Sequence, residues 1–471
     1  MTTKNGNLDD GRAVYFAGGK LSALTEVPVF VRTLATIQKY YTLRAEDPEM
    51  SLSDGTSTLF KLPRSAADLT TKRRAYEKIA RLSYGMLGRT PDFVDSGVAV
   101  VAEYASVLGA PFAAHVKKWA SRVVREDLFV SHAIQNPQKD RSKSLSALLA
   151  DGDEFAGVWI KERLPDGVIV RGAKQVSTLA PLADELLIFN LPGLLPEDEK
   201  FALAFVVPLD APGMKTICRK PTMPDDADLR DYPLSGSFDE MDAVTIFDDV
   251  FVPNEALFVC GDVAMSNAFF EASGLFVHTA HQDEVRGVVK LEFATALAVR
   301  LAEKLGLIGF ARVQEMLGEL SVNLELIRAA VVASEVTGHL ECAGRVFTPN
   351  MQTLLAVRAS LTSYYDEVVR VIAEFSSGSA VGIPDFRTFE HAEIGTLVSS
   401  ALTSAHLDAK ERALLMNLAW DVSASSFGQR QRTYEFLHGG NPFVIKTQHW
   451  LTEDLSAGSA MLDEILRTCQ R

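Results

Sequence analysis

Five short segments carry residue types that do chemistry when folded together. In Gly88-Arg89-Thr90-Pro91-Asp92-Phe93, Thr90 is placed to cap a helix that Pro91 and Asp92 begin, leaving Arg89 just outside it. Ser131-His132-Ala133-Ile134-Gln135-Asn136-Pro137 runs on to Asp140 and Arg141, and the imidazole of His132 suits proton transfer near neutrality. Gly172-Ala173-Lys174-Gln175-Val176-Ser177-Thr178 reads as a strand ending in two hydroxyl residues that could hydrogen-bond a planar polar ring. Gln282 with Arg286 at the start of one long helix, and Ser425-Ser426-Phe427-Gly428-Gln429-Arg430 after another, offer polar helix ends with arginine, which suit a phosphate-bearing group. Each segment also has a plainer account: a capped helix with a surface Arg, a hydrogen-bonded structural histidine, a strand with its turn, ordinary helix termini.

The elements that must position these residues follow from periodicity. Helical spacing covers about Val29 to Val130, including Ala66–Ser83 and Val98–Val124, so the first third is an α domain. After Pro137–Ser142 come β-rich runs at Phe155–Leu164, Val168–Val176, Glu185–Leu191, Phe201–Leu209, Met214–Arg219 and Ala243–Val252, with Pro165-Asp166-Gly167 as a hairpin turn. This middle part reads as an antiparallel β domain, and its 190s loop (Pro192, Gly193, Pro196, Glu197, Asp198) as a lid. From about Ala272 helices return: Val313, Met316, Leu317, Leu320, Leu324 and Ile327 make one bundle-core stripe. Leu354–Phe375, Ala392–Ala405 and Ala409–Ser425 add further amphipathic helices, enough for a C-terminal four-helix bundle. The domains are drawn at 1–145, 146–270 and 271–471 in an α+β chain.

Composition narrows the function classes. In 471 residues, 47 Lys and Arg against 61 Asp and Glu leave a formal charge of −14, which disfavours nucleic acid and anionic membranes as partners. Four scattered cysteines, Cys218, Cys260, Cys342 and Cys469, suggest neither a disulfide framework nor a zinc site, and a reducing cytoplasm is expected. No apolar run approaches the roughly 18 residues of a membrane span. GxGxxG, P-loop, HExxH and GxSxG motifs are absent, so a Rossmann dinucleotide site, phosphoryl transfer and zinc hydrolysis lose support.

Taken in order, the segments resemble the 4-hydroxyphenylacetate 3-hydroxylase family over nearly the whole chain. The matching text runs from Arg81-Leu82-Ser83-Tyr84-Gly85 and Gly88 to Asp92, through His132-Ala133-Ile134, Asn136-Pro137, Asp140-Arg141 and Gly172-Ala173-Lys174. It continues in Ala211–Lys215, Asp231–Ser235, Phe238–Glu240, Val289–Leu291, Trp420-Asp421 and Phe427 to Arg430. The resemblance implies an acyl-CoA dehydrogenase-like fold, a homotetramer, and an oxygenase component to which a separate flavin reductase supplies reduced FAD. Oxygen is the co-substrate, and a flavin C4a-hydroperoxide hydroxylates a phenolic or related small aromatic, free or carrier-tethered, ortho to its hydroxyl. No metal is implied.

Residue by residue, the resemblance places Arg89, Phe93 and His132 at the phenol hydroxyl, with Arg89 and His132 catalytic, and Asn190 and Leu191 in the substrate-entry loop. It places His132, Ala133, Ile134, Gln135, Gln138, Lys139, Asp140 and Arg141 along the flavin, and Thr178 at its ring. Ser425, Ser426, Phe427 and Gly428 fall near the ring or pyrophosphate, and Arg286 at the adenosine diphosphate part. Phe93 stands where the family usually has Tyr. One hydroxyl donor is lost, so a larger or differently substituted aromatic is expected, tyrosine- or anthranilate-like. The alternatives are an acyl-CoA dehydrogenase-like enzyme with Glu292 or Glu325 as base, and a catalytically silent flavin-binding protein. The related 4-hydroxybutyryl-CoA dehydratases need cluster cysteines in the first α domain or the Arg286 helix, and none lies there.

Overall fold

The computed structural model describes residues 8–469. A short hairpin, β1 (Val14–Phe16) and β2 (Gly19–Lys20), precedes four helices, α1 (Pro28–Glu46), α2 (Ala66–Arg81), α3 (Asp92–Tyr104) and α4 (Phe112–Glu126). Helix α2 shows why they form: Ser65 caps it by accepting from the Asp68 amide at 3.3 Å, and Leu69, Lys72, Ala75, Tyr76, Ile79 and Ala80 recur on its buried face. The helical pattern read over Val98–Val124 is two helices. Gly109, at φ +70°, and Pro111, with no N–H to donate, separate α3 from α4.

The central part holds β3 (Val130–Ala133), α5 (Leu145–Ala150), β4 (Trp159–Leu164), β5 (Gly167–Lys174), β6 (Glu185–Ile188), β7 (Leu203–Pro208) and β8 (Met214–Cys218). It closes with α6 (Ser235–Phe238), β9 (Ala243–Pro253) and β10 (Leu257–Cys260). One sheet runs β2-β1-β8-β9-β5-β4 and a second β10-β7-β6-β3. All six expected strands are present, and Leu164 pairs Gly167 across the Pro165-Asp166 turn. The expectation of a purely antiparallel β part is corrected at two places: β1 joins β8 and β3 joins β6 in parallel. Both added strands come from residues 1–145, drawn as the helical domain. Strand β1 lies before the helical run read from about Val29, and β3 begins where that run ends at Val130. They are too short, at three and four residues, to set a period of their own. The inner faces of the two sheets meet in a core that includes Val170, Leu186, Phe205 and Phe247.

The C-terminal part is helical: α7 (Val263–Ala272), α8 (Leu275–Lys304), α9 (Ala311–Val336), a hairpin β11 (His339–Glu341) and β12 (Val346–Thr348), then α10 (Met351–Val381). It continues with α11 (Gly395–Leu402), α12 (Ala409–Ser423), α13 (Ser426–Leu437), α14 (Pro442–Thr452) and α15 (Ser456–Cys469). The α9 stripe buries Met316, Leu320, Leu324 and Ile327, with Val313 and Leu317 partly covered, against α8 and α10. Gln282 and Arg286 lie two to three turns inside α8, because that helix begins earlier than read, directly after Gly274 in the left-handed conformation. No helix among the described residues is long and apolar enough to cross a membrane.

Candidate active site

Arg89 emerges just before α3, as expected, but Thr90 does not cap it. Pro91 occupies the cap position without a side-chain bond, and the Thr90 hydroxyl donates to Asp92 Oδ1 at 2.6 Å. Gln282 Nε2 holds the other Asp92 oxygen at 2.7 Å, so the start of α3 is fixed to α8. The Glu240 carboxylate accepts both the Gly88 and Arg89 amides at 2.6 Å. The Arg89 guanidinium, 8% exposed, lies 4.0 Å over the Phe93 ring and donates to Gly88 O at 2.9 Å and to the Tyr434 hydroxyl.

Phe93 in turn stacks on His132, with centroids 5.0 Å apart and planes at 27°. Arg89 and His132 therefore both pack on Phe93, brought from the segment before α3, from β3 and from α3 itself. His132 Nδ1 is buried without a hydrogen-bond partner. Burial first, and the Arg89 charge second, push this imidazole down to about 3. It is neutral at pH 7 and can accept a hydrogen bond. His132, Phe93, Val94, Leu187, Phe189, Phe270, Leu275 and Thr279 enclose a cavity of about 20 Å³, room for one water and walled almost wholly by apolar groups.

A cavity of about 730 Å³ lies along the chain just beyond His132, between residues 134–145 and the loop at 191–195. It gathers Ile134, Gln135, Gln138, Lys139, Asp140, Arg141 and Leu191. Lys139 is paired with Asp153 at 3.2 Å, whereas Arg141 makes no ion pair among the described residues. The loop is pinned over the cavity: Asn267 Oδ1 accepts from the Gly193 and Leu194 amides at 3.0 and 2.9 Å, and Asp198 accepts from the Ser146 amide at 2.8 Å.

Several expected ligand contacts are spent inside the protein. Arg286, 1% exposed, gives its donors to Glu435, Asp283 and Gly85 O, so no phosphate-facing edge remains. Asn190 is buried, and its amide nitrogen donates to Phe201 O and Ser266 Oγ. Ala133 packs in the sheet core. Ser425 caps α13 through the Gly428 amide at 3.0 Å, Phe427 packs in the bundle core, and Ser426 is exposed; none of these, nor Gly428, lines either cavity.

Thr178 does not open on a cavity either, yet it belongs to a network that ties the segments together. Its hydroxyl donates to Asp242 at 2.7 Å; Arg430 donates to the same carboxylate at 2.7 and 3.0 Å and to Glu240 at 2.8 Å. Burial alone would raise the Asp242 carboxyl, but Arg430 and Arg219 bring it well below the usual range. The network missed by sequence reasoning continues one turn along α13, where the Tyr434 ring stacks on His438 at 4.9 Å and lies 5.2 Å from the Arg89 guanidinium carbon. Gly88 permits this, because a Cβ there would collide with the Tyr434 hydroxyl. Arg430 and Tyr434, four residues apart, share one helix face, but that spacing says nothing of Arg89.

Comparison with known proteins decides what this arrangement is. The family model for the N-terminal part of 4-hydroxyphenylacetate 3-hydroxylase matches residues 6–259, and that for its C-terminal part residues 266–467. The chain belongs to the 4-hydroxyphenylacetate 3-hydroxylase family. It is an oxygenase component of the two-component, flavin-dependent monooxygenase type. The 4-hydroxyphenylacetate 3-monooxygenase oxygenase component of Thermus thermophilus is 32% identical over 438 residues, 91% of this chain and 89% of that protein. A Streptomyces globisporus monooxygenase whose substrate, a 3-amino-3-(3-chloro-4-hydroxyphenyl)propanoyl group, is held on a peptidyl-carrier protein is 30% identical, covering 92% of this chain and 84% of its own. Among solved structures, a 4-hydroxyphenylacetate 3-monooxygenase oxygenase component complexed with FAD and 4-hydroxyphenylacetate superimposes with a TM-score of 0.92 at 30% identity, over 98% and 97% of the two chains. Glutaryl-coenzyme A dehydrogenase, at 14% identity and a TM-score of 0.52 over 88% and 84% of the chains, shares the fold, as the expected acyl-CoA dehydrogenase-like architecture requires. The carboxylates nominated for a dehydrogenase lie elsewhere: Glu292 pairs with Arg81 at 2.9 Å and Arg328 at 3.2 Å, and Glu325 is 76% exposed at its side chain.

Proposed function

We propose that this protein binds reduced FAD from a separate reductase and hydroxylates a phenol ortho to its hydroxyl, with the phenol oxygen held between Arg89 and His132. The observation that carries the reading is the buried, unpartnered His132 Nδ1 next to an apolar cavity, with the Arg89 guanidinium packed on the same Phe93 ring that stacks on His132. The larger cavity fits the cofactor in size and polar groups, with Gln135, Gln138, Lys139, the acceptor Asp140 and Arg141, which makes no ion pair among the described residues, along one wall. When bound, reduced FAD supplies two electrons and activates oxygen, one atom of which enters the ring while the other leaves as water.

The chain's own residues prepare the ring. His132 accepts the phenol O–H hydrogen bond at Nδ1, a role its neutral ring leaves open. Arg89 stabilises the negative charge that develops on the phenol oxygen, which makes the ortho carbon a better nucleophile. Phe93 keeps both groups in place by stacking but offers no hydroxyl of its own. Residues 191–195 form one wall of the larger cavity, and their closure over a bound cofactor would exclude water that diverts activated oxygen to hydrogen peroxide.

Phe93 leaves the site one hydroxyl donor short, and none of the residues around the small cavity carries a charge. A phenol with a larger or uncharged para substituent is favoured over 4-hydroxyphenylacetate, and it is used free or on a carrier. Turnover of a panel containing 4-hydroxyphenylacetate, tyrosine, its amide and a pantetheine thioester tests this. The expected order puts 4-hydroxyphenylacetate last; its ranking first would overturn the substrate assignment. The active particle is a homotetramer. Supporting this, α15 has no buried residue, yet carries Met461, Leu462, Ile465 and Leu466 on one stripe, each more than half exposed.

A further inference from the structure

Lys174 ends β5 and is 1% exposed, a buried ammonium with no carboxylate among its hydrogen-bond partners. Four neutral oxygens surround its Nζ instead. Ile134 O at 3.1 Å and Asn136 Oδ1 at 2.8 Å belong to one wall of the 730 Å³ cavity. Phe189 O at 3.1 Å and Asn190 Oδ1 at 2.9 Å come from the residues immediately before the opposing loop at 191–195. Three ammonium hydrogens thus serve acceptors from both sides of the cavity at once, in a place where water cannot replace them.

The surroundings are arranged around this one group. Asn190 can turn its oxygen to Lys174 only because its nitrogen is taken by Phe201 O and Ser266 Oγ. The Gln175 amide donates to Gln135 O at 2.9 Å, so the strand end bearing Lys174 is stitched to the same wall. Gly172, two residues earlier at φ +129°, has the Gly157 carbonyl where a side chain would stand, which lets β5 close onto residues 157–158. Burial pushes the Lys174 ammonium down to about 7, and the four oxygens around Nζ are all acceptors for its donors.

We infer that Lys174 is a positioning residue that locks the 134–144 wall to the base of the 190s loop, and that this lock sets how tightly the cavity is sealed during turnover. The sealing part rests on the monooxygenase reading; the lock itself does not. The test compares the full-length wild type with Lys174→Met, which keeps the length of the side chain and removes the donors, and with Asn136→Ala, which leaves Lys174 in place and removes one acceptor. Amide hydrogen exchange is followed in residues 134–144 and 190–195, with β9 as internal reference. About tenfold faster exchange in both segments of Lys174→Met, a smaller rise in Asn136→Ala, and no change in β9 are expected.

Unchanged exchange in both variants overturns the lock. Should Lys174→Met fail to fold, Asn136→Ala decides alone. With a turned-over phenol, the lock also predicts that Lys174→Met oxidises reduced FAD at the wild-type rate while shifting the yield from hydroxylated product to hydrogen peroxide. A merely structural role would lower both together. If wild type hydroxylates nothing while the two segments still loosen in the variants, the lock stands and the monooxygenase reading falls.

Discussion

His132 shows how much a single environment changes a residue's chemistry. An ordinary imidazole titrates near ~6.5, and a base of that kind is lost as pH falls through that value. In the fold, burial and then the Arg89 charge hold His132 neutral down to about 3. The folded-state pKa is lowered, so the neutral, accepting form persists across the whole window between those values. Accordingly, kcat/KM for phenol hydroxylation is expected to show no acid limb near pH ~6.5. A limb there that disappears in His132→Asn would contradict the assignment. The pairing of Arg89 with His132 was legible from their order in the chain. Tyr434 was not, since it reaches Arg89 from 345 positions away and no local spacing encodes that meeting.

At the scale of elements, the turn between α12 and α13 places Arg430 and Tyr434, and it does so without touching either cavity. Asp421 receives the Leu234 and Ser235 amides at 2.9 and 2.8 Å, while Ser425 caps α13. A Cβ on Gly428 would stand 2.5 Å from Val422 O and 2.7 Å from Asp421 O, both backbone atoms that cannot yield cheaply. Gly428→Ala is therefore expected to destabilise the protein by about 2 kcal/mol, read as a lower urea midpoint at unchanged slope. A midpoint within error of wild type would show that the turn relaxes. The motif Phe427 to Arg430 reads as a flavin contact, and within one protomer this turn aims a helix: Ser425 caps it and Phe427 anchors it in the core. Arg286 teaches the same lesson: a lone arginine reads as an anion site until its carboxylates, Glu435 and Asp283, fold back onto it. The long helices and six strands were legible because their periods repeat; β1, β3 and the break at Gly109 were not, being too short or too local to set a period.

For the whole molecule, the order helices, sheets, helices was visible in the changing texture of the chain, and family resemblance supplied the fold that joins them. The last helix belongs to this scale. Among the described residues none covers its apolar stripe, so deletion of residues 456–471 is expected to reduce the number of protomers in the particle, read from its mass against that of the shortened chain, while leaving its helices folded. An unchanged number of protomers would place the contact elsewhere.

The central claim is that a phenol held by Arg89 and His132 receives an atom of molecular oxygen. Its most direct test is a single turnover: protein and reduced FAD are mixed without oxygen, a phenol is added, ¹⁸O₂ is admitted, and the product is weighed by mass spectrometry. The account predicts a catechol carrying one ¹⁸O, with its yield collapsing in Arg89→Ala. Quantitative hydrogen peroxide, and no labelled product from any phenol that binds, would contradict it.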